Sequence, residues 1–253
     1  MSGFDSFSIG NTQSVITGIA EYDNVINELT NGLHLIKGDP AVGKSAFAIQ
    51  VATDWAEGDA FYLNCEMMPQ MIFKRVAARK NTVKLASLIK GTVDKSKIYE
   101  IDVNTKNALS KFHLINGNSS YVSAEYLRAE IDKVRETDQG DARHLVVLDS
   151  FDKWVSRATS TYSNLNIDEV RAKLARDIAD IAREYNLPII VICQTATNFL
   201  DYEAETVTQL SWELDGKEDE SGCKRIKFNF VKNRNGEATF SIAKFNTEFQ
   251  DFI

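Results

Sequence analysis

The sequence predicts an α/β fold: a mainly parallel, twisted sheet flanked by helices, ending in an antiparallel hairpin. Three observations carry this. Residues 38–45 read GDPAVGKS, a match to the phosphate-loop pattern G-x-x-x-x-G-K-[ST], with strand signals before it and helix signals after it. Apolar runs of strand length then alternate with helix-period segments, the rhythm of βαβ units. Near the C-terminus that rhythm gives way to period-two alternation around an Asn-Gly pair.

Taken in order, Leu33, Leu35 and Ile36 form the buried strand before the loop, and Ala46, Phe47, Ile49 and Val51 open a helix running toward Trp55. A second strand is predicted over 60–64. Pro69 starts the next helix, where its missing N–H has no helical partner to lose, and the run continues over 70–80. A third apolar stretch covers 112–115. After Ser123, Leu127, Ile131 and Val134 recur on one helix face. Residues 144–148 are continuously apolar, as expected of a strand covered on both faces. Asn166 and Glu169 have the spacing of a helix cap, ahead of the stripe Val170, Leu174, Ile178 and Ile181 that ends near Tyr185. Residues 187–193 form the next buried strand. Ile226, Phe228 and Phe230 then alternate with polar residues, and Phe240 and Ile242 follow the NRNG turn. Loops are expected at 99–110, 155–166 and 196–206, with an acidic turn at 214–221. No linker or repeat divides the chain, so 1–253 is expected to be one domain, with 1–15 a flexible arm.

Composition excludes several classes of function. The cysteines Cys65, Cys193 and Cys223 are far apart and form no C-x-x-C pair, and His34, His113 and His144 have no partner at ligand spacing. Neither a disulfide framework nor a zinc site follows. No apolar run is long enough to span a bilayer, and MSGFDSFSIG lacks the order of a signal peptide. A soluble, cytoplasmic chain is therefore expected. The net charge of -7 argues against bulk attraction to nucleic acid, although Lys and Arg at 74, 75, 79, 80, 84, 90, 95 and 97 face a single acid, Asp94, across that segment.

The loop implies a bound nucleotide. Backbone amides of Gly38, Asp39, Pro40, Ala41, Val42, Gly43, Lys44, Ser45 and Ala46 surround the phosphate position, Pro40 contributing shape alone because it has no N–H. The helix N-terminus adds positive partial charge. Lys44 reaches the β- and γ-phosphates and the Ser45 hydroxyl holds Mg²⁺. Hydrolysis also requires a metal anchor, a group that orients water and a transition-state cation. Asp149 ends the strand HLVVLD and answers the first need. The next residue is Ser150, so an adjacent acidic pair is absent and the water-activating carboxylate comes from elsewhere. Glu66, just after the strand AFYLN, is the leading candidate if that strand neighbours the first; Asp152 is its competitor. Gln194 ends PIIVICQ at the same edge, where an amide can sense the γ-phosphate. Lys232 and Arg234 in VKNRNG are expected at the hairpin tip, suited to reach a neighbour's site.

The set TGIAEYDNVI…GLHLIKGDPAVGKSAFAIQVA, LNCEMM, LVVLDS, IAREYNLPIIVICQ and KNRNGEATFSIAKFNTEFQDF resembles the ATPase domain of the bacterial and phage replicative DNA helicases of the DnaB type, within the RecA-like superfamily. The resemblance covers roughly residues 16 to 253. It implies ATP and Mg²⁺ as cofactors, with Lys44 and Ser45 on phosphate and metal, Asp149 supporting the metal, Glu66 activating water and Gln194 coupling the site to a DNA-facing loop. It further implies Lys232 and Arg234 acting in trans within a hexameric ring, single-stranded DNA in the channel, and replication or recombination proteins as partners.

Two departures accompany it. The family's N-terminal helical domain has no counterpart in the sequence. The segment TATNFLDYEAETVTQ carries Asp201, Glu203 and Glu205 but no Lys or Arg, where a DNA-binding loop normally uses positive charge, and 155–166 offers only Arg157. A motor on single-stranded DNA is the preferred reading. A non-motor RecA-like ATPase serving as recombination mediator, loader or regulatory assembly is the alternative, and a nucleotide-binding scaffold without hydrolysis is a third.

Overall fold

The computed structural model of the protein describes residues 17–117, 123–137, 142–193 and 199–253. In chain order the strands are β1 (Gly32–Gly38), β2 (Ala60–Asn64), β3 (Phe112–Asn116), β4 (Leu145–Asp149), β5 (Pro188–Cys193), β6 (Thr206–Trp212), β7 (Lys224–Asn233), β8 (Phe240–Asn246) and β9 (Asp251–Phe252). The helices are α1 (Ala20–Ile26), α2 (Lys44–Asp54), α3 (Pro69–Asn81), α4 (Leu85–Lys90), α5 (Ile98–Ala108), α6 (Ala124–Arg135), α7 (Phe151–Ala158) and α8 (Ile167–Tyr185).

All the strands join one sheet in the order β3-β2-β4-β5-β1-β6-β7-β8-β9. Pairing is parallel from β3 through β6 and antiparallel from there to β9. The parallel half is buried throughout β2, β4 and β5, which explains their continuous apolar sequence. Side chains alternate across the sheet. Leu33 and Leu35 join the core under α6, α7 and α8, whereas Ile36, Tyr62 and Val147 join the core under α1, α2 and α3.

Capping follows the sequence signals closely. Ser123 accepts from the Tyr126 amide before α6, and Asn166 with Glu169 forms a reciprocal capping box on α8. Helix α2 is held against the antiparallel half by aromatic packing: Phe47 lies 4.9 Å from Tyr22, 5.7 Å from Phe228 and 6.0 Å from Phe252, ring centre to ring centre. Gln50 of α2 also exchanges two hydrogen bonds with the Phe252 backbone, at 2.9 and 2.8 Å. Removing its partner would leave a buried amide unsatisfied, so this contact fixes the helix that follows the phosphate loop.

The structure corrects four expectations. Residues 98–108 form α5 and not a loop; only Ile101 of that helix is buried, so its sequence has no apolar stripe to read. The helix rests on α3 and is tied to it through Asn104 Nδ2 and Asn81 Oδ1 at 2.9 Å. The predicted loop at 155–166 begins inside α7. Strand β6, unread in the sequence, pairs with β1 on one side and β7 on the other. Lastly, β2 does not neighbour β1: β4 and β5 lie between them.

Candidate nucleotide site

Every parallel strand runs the same way, so β1, β2, β4 and β5 deliver the residues that follow them to a single sheet edge. At that edge the phosphate loop joins β1 to α2. Two glycines shape it. Gly38 has φ +152, and a Cβ there would meet the Leu210 carbonyl oxygen at 2.6 Å. Gly43 has φ +100 directly before α2, and an added Cβ would meet Ile226 at 3.2 Å. Both positions therefore require glycine for the backbone they adopt.

Lys44 Nζ donates to the carbonyls of Gly38 and Asp39, each at 2.7 Å. The ammonium thus curls back over the loop it belongs to. Burial lowers its pKa, opposed by the carboxylates of Glu66 and Asp149 nearby. A cavity of about 450 Å³ opens here, lined by Lys44, Ser45, Glu66, Arg75, Trp212 and Phe245 among others. Its volume lies in the range of small-molecule sites.

Asp149 ends β4 beneath this cavity and is fully buried. Its Oδ2 accepts the Tyr62 hydroxyl at 2.7 Å. Burial raises the carboxyl pKa, while hydrogen bonding from Tyr62 and Ser45 pulls it down. Oδ1 is also buried yet has no hydrogen bond of full geometry. A buried carboxylate oxygen beside a serine hydroxyl suits a divalent cation, and Mg²⁺ on a nucleotide needs only one or two protein oxygens because the phosphates and water supply the rest. No group of three or more metal-ligating side chains occurs among the described residues.

Glu66 reaches the cavity although β2 is not beside β1. All four strands end at the same edge, and one cavity is lined both by residues that follow β1 and by residues that follow β2. Asp152, in the first turn of α7, does not line the cavity; its charge acts on the Cys193 thiol, which burial pushes up to about 12. Arg75 was missed in the sequence because it belongs to a helical run of basic residues. Its guanidinium nonetheless lines the cavity, with a buried Nε that lacks a hydrogen bond, and its charge acts on Tyr62 and Asp149. Gln194 lies outside the described residues.

Residues 14–211 match the DnaB-like helicase C-terminal domain family. The chain belongs to this family. Relatives include a probable replicative DNA helicase of Trieres chinensis, 24% identical over 74% of this chain and 42% of its own length. A probable plasmid replicative DNA helicase of Chlamydia psittaci is 23% identical over 73% of this chain and 40% of its own length. The chain thus spans about two fifths of the length of these relatives. Among solved structures it superposes on the ATPase domain of G40P with a TM-score of 0.79 at 17% identity, covering 97% of this chain and 93% of that one. A DnaB-like replicative helicase studied for its interactions with primase gives a TM-score of 0.80 at 17% identity, covering 96% and 62%. These likenesses establish the DnaB-like, RecA-type fold.

In this DnaB-like domain Lys232 and Arg234 lie toward the opposite end of β6 from their own phosphate loop. Thr206 pairs with both His34 and Asn233, which sets that end of β7 beside the start of β1, whereas Gly38 pairs with Leu210 at the opposite end of β6. Nor are the two cations at a free hairpin tip. Strand β7 outruns β8 and continues along β6 as far as Asn233, and the Arg234 amide donates to the Glu205 carbonyl at 3.0 Å.

The acidic segment before β6 is where those cations rest. Lys232 Nζ donates to the carbonyls of Asp201 and Tyr202 at 2.7 and 3.0 Å. Lys37 pairs with Asp201, and Arg234 pairs with Glu205 at 3.0 Å. The negative charge that argued against a DNA-facing loop is therefore partly neutralised within the DnaB-like chain itself. The basic run 74–97 is divided in a similar way. Arg79 clasps Asp54 with both terminal nitrogens at 2.7 Å, Lys80 joins them, and Lys84 pairs with Glu248 at 2.9 Å. Arg157 donates to the carbonyls of Cys65 and Gly117 and so ties together the ends of β2 and β3.

The remaining candidates are structural. His34 is buried, with Nδ1 2.9 Å from the Thr206 hydroxyl and Nε2 2.7 Å from the Thr30 carbonyl. His113 pairs with Asp59 at 2.6 Å. All three cysteines are buried and unpaired by disulfides. No helix among the described residues is long and apolar enough to cross a membrane.

Proposed function

We propose that the chain is the ATP-hydrolysing motor domain of a replicative DNA helicase, acting on single-stranded DNA as a hexameric ring with active sites shared between neighbours. The observation that carries this reading is the convergence of Lys44, Ser45, Glu66 and Arg75 on one cavity above the buried Asp149. Support for the DNA and replication part comes from relatives named as probable replicative DNA helicases.

In this reading the phosphates of ATP displace the Lys44 ammonium from the Gly38 and Asp39 carbonyls, and the loop amides and α2 N-terminus complete the cradle. Ser45 and Asp149 would hold Mg²⁺, which when bound neutralises charge building up between the β- and γ-phosphate oxygens. Glu66 orients the attacking water and accepts its proton. Arg75 adds a fixed cation on the same side. Lys232 and Arg234 act on the ATP of the adjacent subunit, because their own loop lies at the far end of β6. Gln194 would couple γ-phosphate occupancy to the loop that follows it.

The deciding measurement is ATP turnover with and without single-stranded DNA, together with strand displacement on a forked duplex. DNA-stimulated turnover with displacement supports the motor. Strong DNA-stimulated turnover with no displacement overturns it in favour of a mediator or loader.

A further inference from the structure

We infer that Tyr62 is a positioning residue for the metal half of this site: its hydroxyl occupies Asp149 Oδ2 and so presents Oδ1 to the cation beside Ser45. The inference rests on the nucleotide reading above and adds a residue to it.

The placement follows from register. In the parallel pair β2–β4, Tyr62 stands opposite Val147 and Asn64 opposite Asp149. Side chains two apart on a strand share a face, and registered partners in a parallel pair do as well. Tyr62, Asn64, Val147 and Asp149 therefore all point to the α2 face, the side on which Lys44 and Ser45 begin their helix. A tyrosine is long enough to cross diagonally from its own position to the carboxylate two residues further along the neighbouring strand, and its hydroxyl does so at 2.7 Å.

The ring cannot easily turn elsewhere. Tyr62 is fully buried, and its ring packs on Phe112 with centres 5.5 Å apart. A buried phenol needs a hydrogen-bond partner, and among the described residues it is Asp149 that accepts from it. The carboxylate in turn has two oxygens with different fates: Oδ2 is committed to Tyr62, while the buried Oδ1 has no hydrogen bond of full geometry, with the Ser45 hydroxyl close to the carboxylate. One donor thus fixes the rotation of the Asp149 side chain and selects which oxygen is available. Hydrogen bonds to a ligating carboxylate set its orientation, and losing such a partner typically weakens metal binding by about tenfold or more.

The test compares binding of a fluorescent ADP analogue to the full chain across a Mg²⁺ titration, for wild type, Tyr62→Phe, Ser45→Ala and Asp149→Asn. Tyr62→Phe removes one oxygen and keeps the ring. We expect its metal-free ADP affinity to match wild type, while the Mg²⁺ concentration giving half of the metal-dependent tightening rises roughly tenfold. In an Asp149→Asn background the same change should leave the Mg²⁺ response unaltered, since there is no carboxylate to orient. An unshifted Mg²⁺ midpoint in Tyr62→Phe, or an equal shift in the Asn background, overturns the inference. Should Tyr62→Phe be destabilised, as judged by its melting curve, the same titration is run below its melting transition with the same outcomes. The two readings fail differently. Wild-type protein that binds no ADP, or whose binding survives Lys44→Ala, removes the nucleotide site and this inference with it. A Mg²⁺ response lost in Ser45→Ala but untouched in Tyr62→Phe removes only the role of Tyr62.

Discussion

Arg234 donates to Glu205 Oε1 at 3.0 Å and, through its other terminal nitrogen, to the Tyr202 carbonyl at 3.0 Å. The guanidinium side chain is 47% exposed, so this contact competes with solvent and holds only modestly. A neighbouring triphosphate offers more negative charge and a bidentate partner, and would draw the side chain away.

If the site is shared, Arg234→Ala and Lys44→Ala subunits should each be nearly inactive alone and partly active when mixed. Random assembly at equal amounts places an intact loop against an intact finger at about a quarter of interfaces, so turnover near that fraction of wild type is expected. Turnover of the mixture no higher than the mean of the two separate proteins would show that the cations do not act across an interface. Glu205→Gln, which weakens the resting contact, should raise wild-type turnover slightly or leave it unchanged.

Glu66 lines the cavity and Asp152 does not. Glu66→Gln is expected to keep nucleotide affinity within a few-fold and to lower kcat by roughly 10²- to 10⁴-fold, the usual contribution of a general base. Asp152→Asn should stay within about twofold of wild type by the same measurement. The opposite pattern would transfer the role to Asp152.

Arg75 lines the same space with a partly buried side chain. Truncating it to alanine should weaken ATP and ADP binding by roughly tenfold, as expected for loss of one charge-assisted hydrogen bond. Calorimetric titration against the unchanged melting temperature of the free protein separates this effect from a loss of fold. Equal affinity in the two proteins would make Arg75 a structural residue.

His34 gives the chain an acid limit unrelated to the site. Burial lowers its pKa from the ordinary 6.5 to about 4, so the folded state keeps it neutral while the unfolded state takes up a proton. Its contribution is present above pH 6.5 and is lost as pH falls from there toward about 4, a total on the order of 3 kcal/mol. Urea midpoints measured across that window should fall with pH in wild type. In His34→Gln, where the group cannot titrate, that part of the slope should disappear.

The strands and capped helices that carry the phosphate loop were legible because each has a strong local signal. Residues 38–45 need glycine at two left-handed positions, β4 and β5 are continuously apolar because both faces are covered, and Asn166 with Glu169 satisfies the first amides of α8. Helix α5 gave no such signal, because only Ile101 is buried and its stability comes from resting on α3. Strand β6 was hidden for a related reason. Thr206 and Thr208 are polar residues buried in the sheet, satisfied by His34 and Tyr22, which lie far away in sequence.

By itself, the sequence determined that a loop of the phosphate-loop pattern joins a strand to a helix, that Asp149 ends an apolar strand and Glu66 follows another, and that Lys232 and Arg234 lie at the end of an alternating one. These are local consequences of backbone conformation and side-chain period. Only the tertiary structure decided that β4 and β5 stand between β1 and β2, that Tyr62 reaches Asp149 on the neighbouring strand, and that the acidic segment holds Lys232 and Arg234 toward the opposite end of β6 from the loop. Strand order and cross-strand contacts come from how separate elements cover one another's apolar faces. That information is shared among residues tens to hundreds of positions apart, and no local pattern contains it.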